Sequence, residues 1–116
     1  MPELPEVETV VRDLRPRLVG RRIASVATSG QALRKQWSAD WIPLLTGSRI
    51  QEVRRRGKWI VIVLDGQLHL VVHLGMSGQL VVMPAKVSPL PHTHLTFTLD
   101  RGTEQLRFRD IRRFGS

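Results

Sequence analysis

The chain opens Met1-Pro2-Glu3, and removal of Met1 would leave a free proline amine beside a carboxylate. A secondary amine is a strong nucleophile toward masked aldehydes. Its attack on a sugar's anomeric carbon gives a cationic iminium, which divides one difficult bond cleavage into two easier steps. Glu3 is placed to shuttle the protons. While Met1 remains, the Pro2 nitrogen is an amide whose lone pair is delocalised into the carbonyl, and it cannot attack. Catalysis would therefore wait on processing. A second amine, Lys58, is one of only three lysines and follows Arg54-Arg55-Arg56-Gly57. Taken by itself it reads as a basic strand residue or as an alternative amine nucleophile; Gly57 before it permits close backbone approach.

These residues need elements to hold them. Pro5 suits the first position of a helix, and Leu4, Val7, Val11 and Leu14 recur at three- and four-residue spacing, as one apolar stripe. Glu6 and Glu8 fall in the first turn and Arg12 and Arg15 in the last, complementing the helix dipole, and Pro16 is expected to end or kink the helix. The positive helix end would disfavour protonation of a Pro2 amine and leave more of it nucleophilic. For Glu6 and Glu8 the dipole role is a sufficient reason on its own.

Beyond the helix the pattern turns to short β-rich runs at about 22–28, 49–55, 59–64, 68–73, 79–83, 94–99 and 105–109, with a weaker helical signal near 39–45. Several strands in one small unit suggest a sandwich or barrel. Asp65-Gly66 between two runs is a strong hairpin signal. Leu95, Phe97 and Leu99 alternate with Thr96 and Thr98, and Leu106 and Phe108 with Arg107 and Arg109, so one face of each strand is expected to be buried and the arginines to point outward. Residues 84–91, with three prolines, read as an exposed loop. The expected fold is a single domain over 1–116, mostly β with an N-terminal α-helix (α+β): a two-layer antiparallel β-sandwich flanked by helices. A chain of 116 residues buries roughly two-thirds of its unfolded surface, enough for a core without covalent staples.

Eighteen Lys and Arg against ten Asp and Glu give a net charge of +8, and a polyanion is the natural ligand. Arginine forks suit phosphate oxygens, so binding should weaken steeply with salt. Charge alone leaves RNA, DNA and an anionic membrane open. No apolar run approaches the roughly 20 residues of a membrane span, and no signal-peptide pattern opens the sequence. A soluble intracellular protein is expected. There are no cysteines, which excludes disulfides and thiolate-ligated zinc. His69 and His73 on one strand would lie about 13 Å apart, too far for one ion, and no carboxylate completes a set with His92 and His94. No metal and no cofactor are expected in this chain.

Four segments then stand in order: Pro2-Glu3-Leu4-Pro5-Glu6-Val7-Glu8-Thr9, Arg54-Arg55-Arg56-Gly57-Lys58-Trp59, His73-Leu74-Gly75-Met76-Ser77-Gly78, and Asp110-Ile111-Arg112-Arg113-Phe114-Gly115. Together they resemble the N-terminal catalytic domain of the bacterial formamidopyrimidine-DNA glycosylases, from Pro2 to Gly115. The resemblance implies excision of oxidised purines, such as 8-oxoguanine and formamidopyrimidines, from duplex DNA, with β- and δ-elimination at the abasic site. It also implies a bacterial cytoplasmic, nucleoid-associated protein, and the expected state is a monomer. The related endonuclease VIII-like branch prefers oxidised pyrimidines; the Glu-Leu-Pro-Glu opening and the Arg-Arg-Phe-Gly ending look more like the purine branch. Carried over, the family's roles make Pro2 the nucleophile, Glu3 the acid/base, Glu6 a carboxylate near the site and Lys58 a contact to the phosphodiester beside the lesion.

An enzyme acting on a stacked base must extrude it and fill the gap. The family match assigns that wedge to Met76, Arg112 and Phe114; otherwise Met76 would read as a loop or core methionine and Phe114 as a core residue. Arg113 is assigned to phosphate and His73 to the DNA backbone, and His92 or His94 is a candidate phosphate contact. Family members continue into a helix-two-turn-helix domain and usually a four-cysteine zinc finger, neither of which is in this sequence. Residual activity of this domain is therefore expected to favour preformed abasic sites. A non-catalytic DNA-binding fragment is the competing reading.

Overall fold

The computed structural model describes residues 4–29 and 37–110. Helix α1 (Leu4–Leu18) leads into β1 (Ile23–Thr28), a short α2 (Trp41–Leu45), then β2 (Ile50–Arg56), β3 (Trp59–Leu64), β4 (Leu68–His73), β5 (Gly78–Pro84), β6 (Thr93–Leu99) and β7 (Glu104–Asp110). The strands form two antiparallel sheets, a four-stranded one in the order β1-β6-β7-β5 and a three-stranded meander β2-β3-β4. The expected two-layer, mostly β fold with an N-terminal helix is the one observed.

Val7, Val11, Leu14 and Leu18 form the buried stripe of α1, packed with Ile50 and Val53 of β2, Ile60, Ile62 and Leu64 of β3, and Phe97, Leu99, Leu106 and Phe108 of the larger sheet. Each such side chain withdrawn from water contributes about 1.5 to 3 kcal/mol. Of the two outcomes expected of Pro16, ending the helix is not the one found: it lies inside α1, which runs on to Leu18. Two things permit this. Pro16 and Arg12, whose carbonyl loses its donor, are both solvent-exposed, and the extra turn buries Leu18 completely.

The meander is set by two turns. Arg56 pairs with Trp59, leaving Gly57 and Lys58 as a two-residue loop with Gly57 at φ 60°, the positive φ that a tight, right-twisted hairpin requires. Between β3 and β4 the turn spans Asp65–Gln67, with Gly66 at φ 71° and Gln67 at φ 64°. Asp65 pins it to β2: its carboxylate accepts from the Arg49 N–H at 3.0 Å, and its own N–H donates to the Arg49 carbonyl at 3.0 Å.

Two alternation-based expectations fail in the larger sheet. Arg107 is not outward: it is only 4% exposed. The 84–91 loop folds over its face of β7, and Nη2 donates to the carbonyls of Val87 at 2.7 Å, Pro84 at 3.3 Å and Ala85 at 3.4 Å and to Gln105 Oε1 at 2.9 Å. The fork supplies donors to three carbonyls of the loop at once. His94 departs for a different reason. Thr93 pairs with Arg109 but Leu95 with Phe108, so β6 carries one extra residue at that point. Such a bulge re-aims a side chain, and His94 turns inward, 4% exposed.

Candidate nucleic-acid interface

The register brings the predicted residues to one end of the sandwich. Trp59 pairs with His73, placing the Gly57-Lys58 turn beside the end of β4. Gly78 pairs with Asp110, and Thr93 with Arg109, so the 74–77 loop, the start of β6 and the end of β7 close the same end. Glu8 ties α1 to it: Oε1 accepts from Arg55 Nε at 2.9 Å while Oε2 accepts from Arg12 Nε at 3.1 Å, and Arg55 Nη1 donates to the Gly57 carbonyl at 3.1 Å. The hydrogen bond from Arg55, then that from Arg12, holds the Glu8 carboxyl below its ordinary range. Glu8 thus does more than complement the dipole. It fixes the start of the helix against the turn that carries Lys58.

Lys58 is half-buried in that turn, and Glu6 is exposed in the first turn of α1. His73 packs edge-on to Trp59 with ring centroids 4.7 Å apart, and its Nδ1 accepts from the Gly75 N–H at 3.2 Å. The acceptor role places the ring proton on Nε2 when His73 is neutral. Met76 stands at the loop apex, 79% exposed, whereas an ordinary methionine of its size is usually buried.

The loop itself is built for that exposure. The Gly78 N–H donates to the Leu74 carbonyl at 2.7 Å, closing the loop behind Met76. A Cβ on residue 78 would lie 2.3 Å from that same oxygen, so only glycine fits. Ser77 Oγ donates to Asp110 Oδ1 at 2.5 Å, anchoring the loop to the fully buried end of β7. Asp110 also receives His94, whose Nε2 donates to its carbonyl at 2.8 Å, and its N–H donates to the His92 carbonyl at 3.0 Å.

The two histidines therefore separate. His92 is exposed at φ 68° beside the end of β7. His94 faces Asp110 from within the core, and its ring is committed there rather than offered to a phosphate. Pro2, Glu3, Arg112, Arg113 and Phe114 lie outside the described residues. Glu8, Arg55, Ser77 and Asp110 are positioning residues that the sequence did not single out. Of their contacts only the Glu8–Arg12 spacing of four was readable in advance. Among the described residues, no three His, Asp or Glu side chains are grouped to hold a metal ion, and no helix is long and apolar enough to cross a membrane.

Residues 1–116 match the formamidopyrimidine-DNA glycosylase N-terminal domain family. The formamidopyrimidine-DNA glycosylase of Acidiphilium cryptum is 46% identical over 116 residues, 100% of this chain and 41% of the relative. That of Xanthomonas campestris is 48% identical over 115 residues, 99% of this chain and 42% of the relative. Among solved structures, the Lactococcus lactis glycosylase bound non-covalently to DNA containing an AP site superposes with a TM-score of 0.88 at 34% identity, over 99% of this chain and 44% of that one. The same enzyme with DNA containing FAPY-dG gives a TM-score of 0.87 at 34% identity, over 98% and 42%. The chain spans less than half the length of the relatives it matches. On a match over its whole length, the chain belongs to the formamidopyrimidine-DNA glycosylase N-terminal domain family.

Proposed function

We propose that this domain supplies the covalent chemistry of a base-excision DNA glycosylase and AP lyase acting on oxidised purines and abasic sites. The observation that carries this reading is the gathering of Lys58, His73 and Met76 at the end of the sandwich to which Glu8 fixes the start of α1, whose first residue, Leu4, follows Glu3 directly in sequence. Related proteins with the same fold have been crystallised with DNA containing an AP site or FAPY-dG, which supports DNA as the partner here.

The steps follow from the groups. With Met1 removed, the Pro2 nitrogen attacks C1′ of the damaged nucleoside; the N–C1′ bond forms as the bond to the base breaks, and the base leaves with a proton supplied by the medium or by an acid such as Glu3. Ring opening, with proton transfer to the ring oxygen by Glu3, gives the iminium. The iminium acidifies C2′. Loss of that proton expels the 3′ phosphate in β-elimination, and a second elimination expels the 5′ phosphate. Lys58 holds the adjacent phosphodiester in register, and Met76 occupies the space left by the extruded nucleotide.

Borohydride trapping on abasic duplex DNA tests this. The Met1-free chain should give a covalent adduct, and two forms should give none: the chain retaining Met1, and a Pro2→Gly variant whose N-terminus is blocked. An adduct that persists in the blocked variant but is lost in Lys58→Ala would transfer the nucleophile to Lys58. A Met1-free chain that binds abasic DNA without ever forming an adduct would favour the non-catalytic DNA-binding reading.

A further inference from the structure

The outer face of the three-stranded sheet carries groups that the proposed lyase chemistry does not use. Reading across the register, one row is Arg56, Trp59 and His73, the next is Arg54, Val61 and Val71, and the last is Glu52, Val63 and His69. Soluble sheets normally cover such apolar positions or make them polar. Here Trp59 is 47% and Val71 51% exposed, and they line, with Arg54, Arg56, Val61 and His69, an open concavity of about 290 Å³. Arg54 and Arg56 are exposed, and neither side chain has a hydrogen bond or ion pair among the described residues. Other arginines of this chain do find partners: Arg12 and Arg55 meet Glu8, and Arg21 meets Asp100 and Glu104. The unpaired positive charge lies in the two rows nearest Lys58, and Glu52 marks the far row.

We propose that this face is a binding track for an unpaired nucleic-acid strand, with a base stacked on Trp59 and consecutive phosphates held by Arg56 and Arg54. Two observations select this ligand. An exposed indole flanked by two guanidinium groups that have no partner among the described residues matches the combination that binds single strands without sequence preference, an aromatic platform inside a positive groove. The two arginines are also two residues apart on one strand, about 6.6 Å, so they follow a backbone rather than chelate one anion. The track begins beside Lys58 and His73, so a strand leaving that end of the domain meets it directly. An acidic peptide would satisfy the arginines but leave the indole without a stacking partner.

The test is fluorescence anisotropy of a labelled 12-nucleotide oligothymidylate with the full chain, over a range of salt concentrations. Tryptophan quenching is read in the same titration. Trp59→Ala should weaken binding roughly 5- to 150-fold, as loss of one stacked base does, and Trp59→Phe should restore much of it. Arg54→Ala with Arg56→Ala should reduce the slope of log K against log salt by about 1.4, because each single-strand phosphate contact contributes about 0.7. Val71→Glu, an exposed position in the row next to His73, should also weaken binding by placing a carboxylate on the track. Equal affinity for a base-free deoxyribose-phosphate 12-mer would overturn the proposal. So would variants indistinguishable from the parent, or tighter binding of polyglutamate than of oligothymidylate. The titration contains no lesion and reads no covalent step, so its failure is distinguishable from failure of the lyase reading.

Discussion

Gly78→Ala is the sharpest test of how the Met76 loop is built. The added methyl would sit 2.3 Å from the Leu74 carbonyl oxygen, 2.9 Å from its carbon and 3.0 Å from its Cα. All three are backbone atoms, so no side chain can swing aside. To reach an ordinary contact of 3.4 Å the two segments must part by about 1.1 Å, which breaks the 2.7 Å hydrogen bond that closes the loop. Overpacking of this kind costs about 1 to 3 kcal/mol, and the lost hydrogen bond adds about 0.5 to 1.5 kcal/mol. A combined loss of about 2 to 4 kcal/mol lowers the melting temperature of a domain this size by roughly 8 to 16 °C. Thermal unfolding followed by circular dichroism measures it. Met76→Ala is the companion variant: its side chain is almost wholly in solvent, so its melting temperature should stay within about 2 °C of the parent, while its affinity for abasic duplex falls. A Gly78→Ala protein as stable as the parent would refute the reasoning, because it would mean the Leu74 carbonyl does not sit where the loop requires it.

Two further outcomes follow from other parts of the fold. Arg107→Leu should destabilise by about 2 to 3 kcal/mol, since the carbonyls of Pro84, Ala85 and Val87 lose a charged donor, and hydrogen exchange should rise in residues 84–91 before it rises in the strands. At the end of the molecule remote from Lys58, the Asp100 carboxyl is held below its ordinary value of 3.8 by the backbone N–H of Arg22 and then by the Arg21 guanidinium. A depressed carboxyl stabilises the fold above its unfolded pKa, and that contribution disappears as the pH falls through the lower folded value. The difference in melting temperature between the parent and Asp100→Asn, worth under about 1 kcal/mol for a pair still open to solvent, should hold constant from pH 5 to 8, begin to shrink only as the pH reaches the ordinary value of 3.8, and be lost below it as the folded carboxyl protonates. Asn tolerates the positive φ of 49° at this position, so the comparison isolates the charge.

What the sequence disclosed depended on how local the determining contacts are. Strands β3 and β4 occupy the expected 59–64 and 68–73 because turn-forming glycines bracket them, and the α1 stripe was visible because Val7, Val11 and Leu14, all buried, repeat with helical spacing. Pro16, Arg107 and His94 were misjudged for one shared reason: each takes its place from something distant in sequence. Leu18 finds its pocket in the folded core, the 84–91 loop lies over Arg107, and the bulge that inverts His94 exists only in the pairing of β6 with β7. The site divides the same way. Lys58, His73 and Met76 announced themselves by motif, but the Glu8–Arg55 and Ser77–Asp110 contacts join residues 47 and 33 positions apart and have no sequence signature. The bulky, half-exposed Trp59 was readable only as the end of a motif until the register put two unpaired arginines beside it.

The topology also sets an order of assembly. The meander closes through two turns of two and three residues, so its strands can pair within microseconds of collapse. Strand β1 has no such neighbour: Ile23 pairs with Leu99, and its partner strand is the last but one of the described strands. As a ribosome releases the chain, α1 emerges ahead of the strands with its apolar stripe bare, finds β2 and β3 some forty residues later, and can settle on the meander while β1 still waits. The four-stranded sheet then closes over the long connection, which makes it the slow step by contact order. Until that closure the Ile23 strand is an unpaired edge, and it is there, rather than at the meander, that a nascent chain of this fold is most exposed to pairing with another molecule.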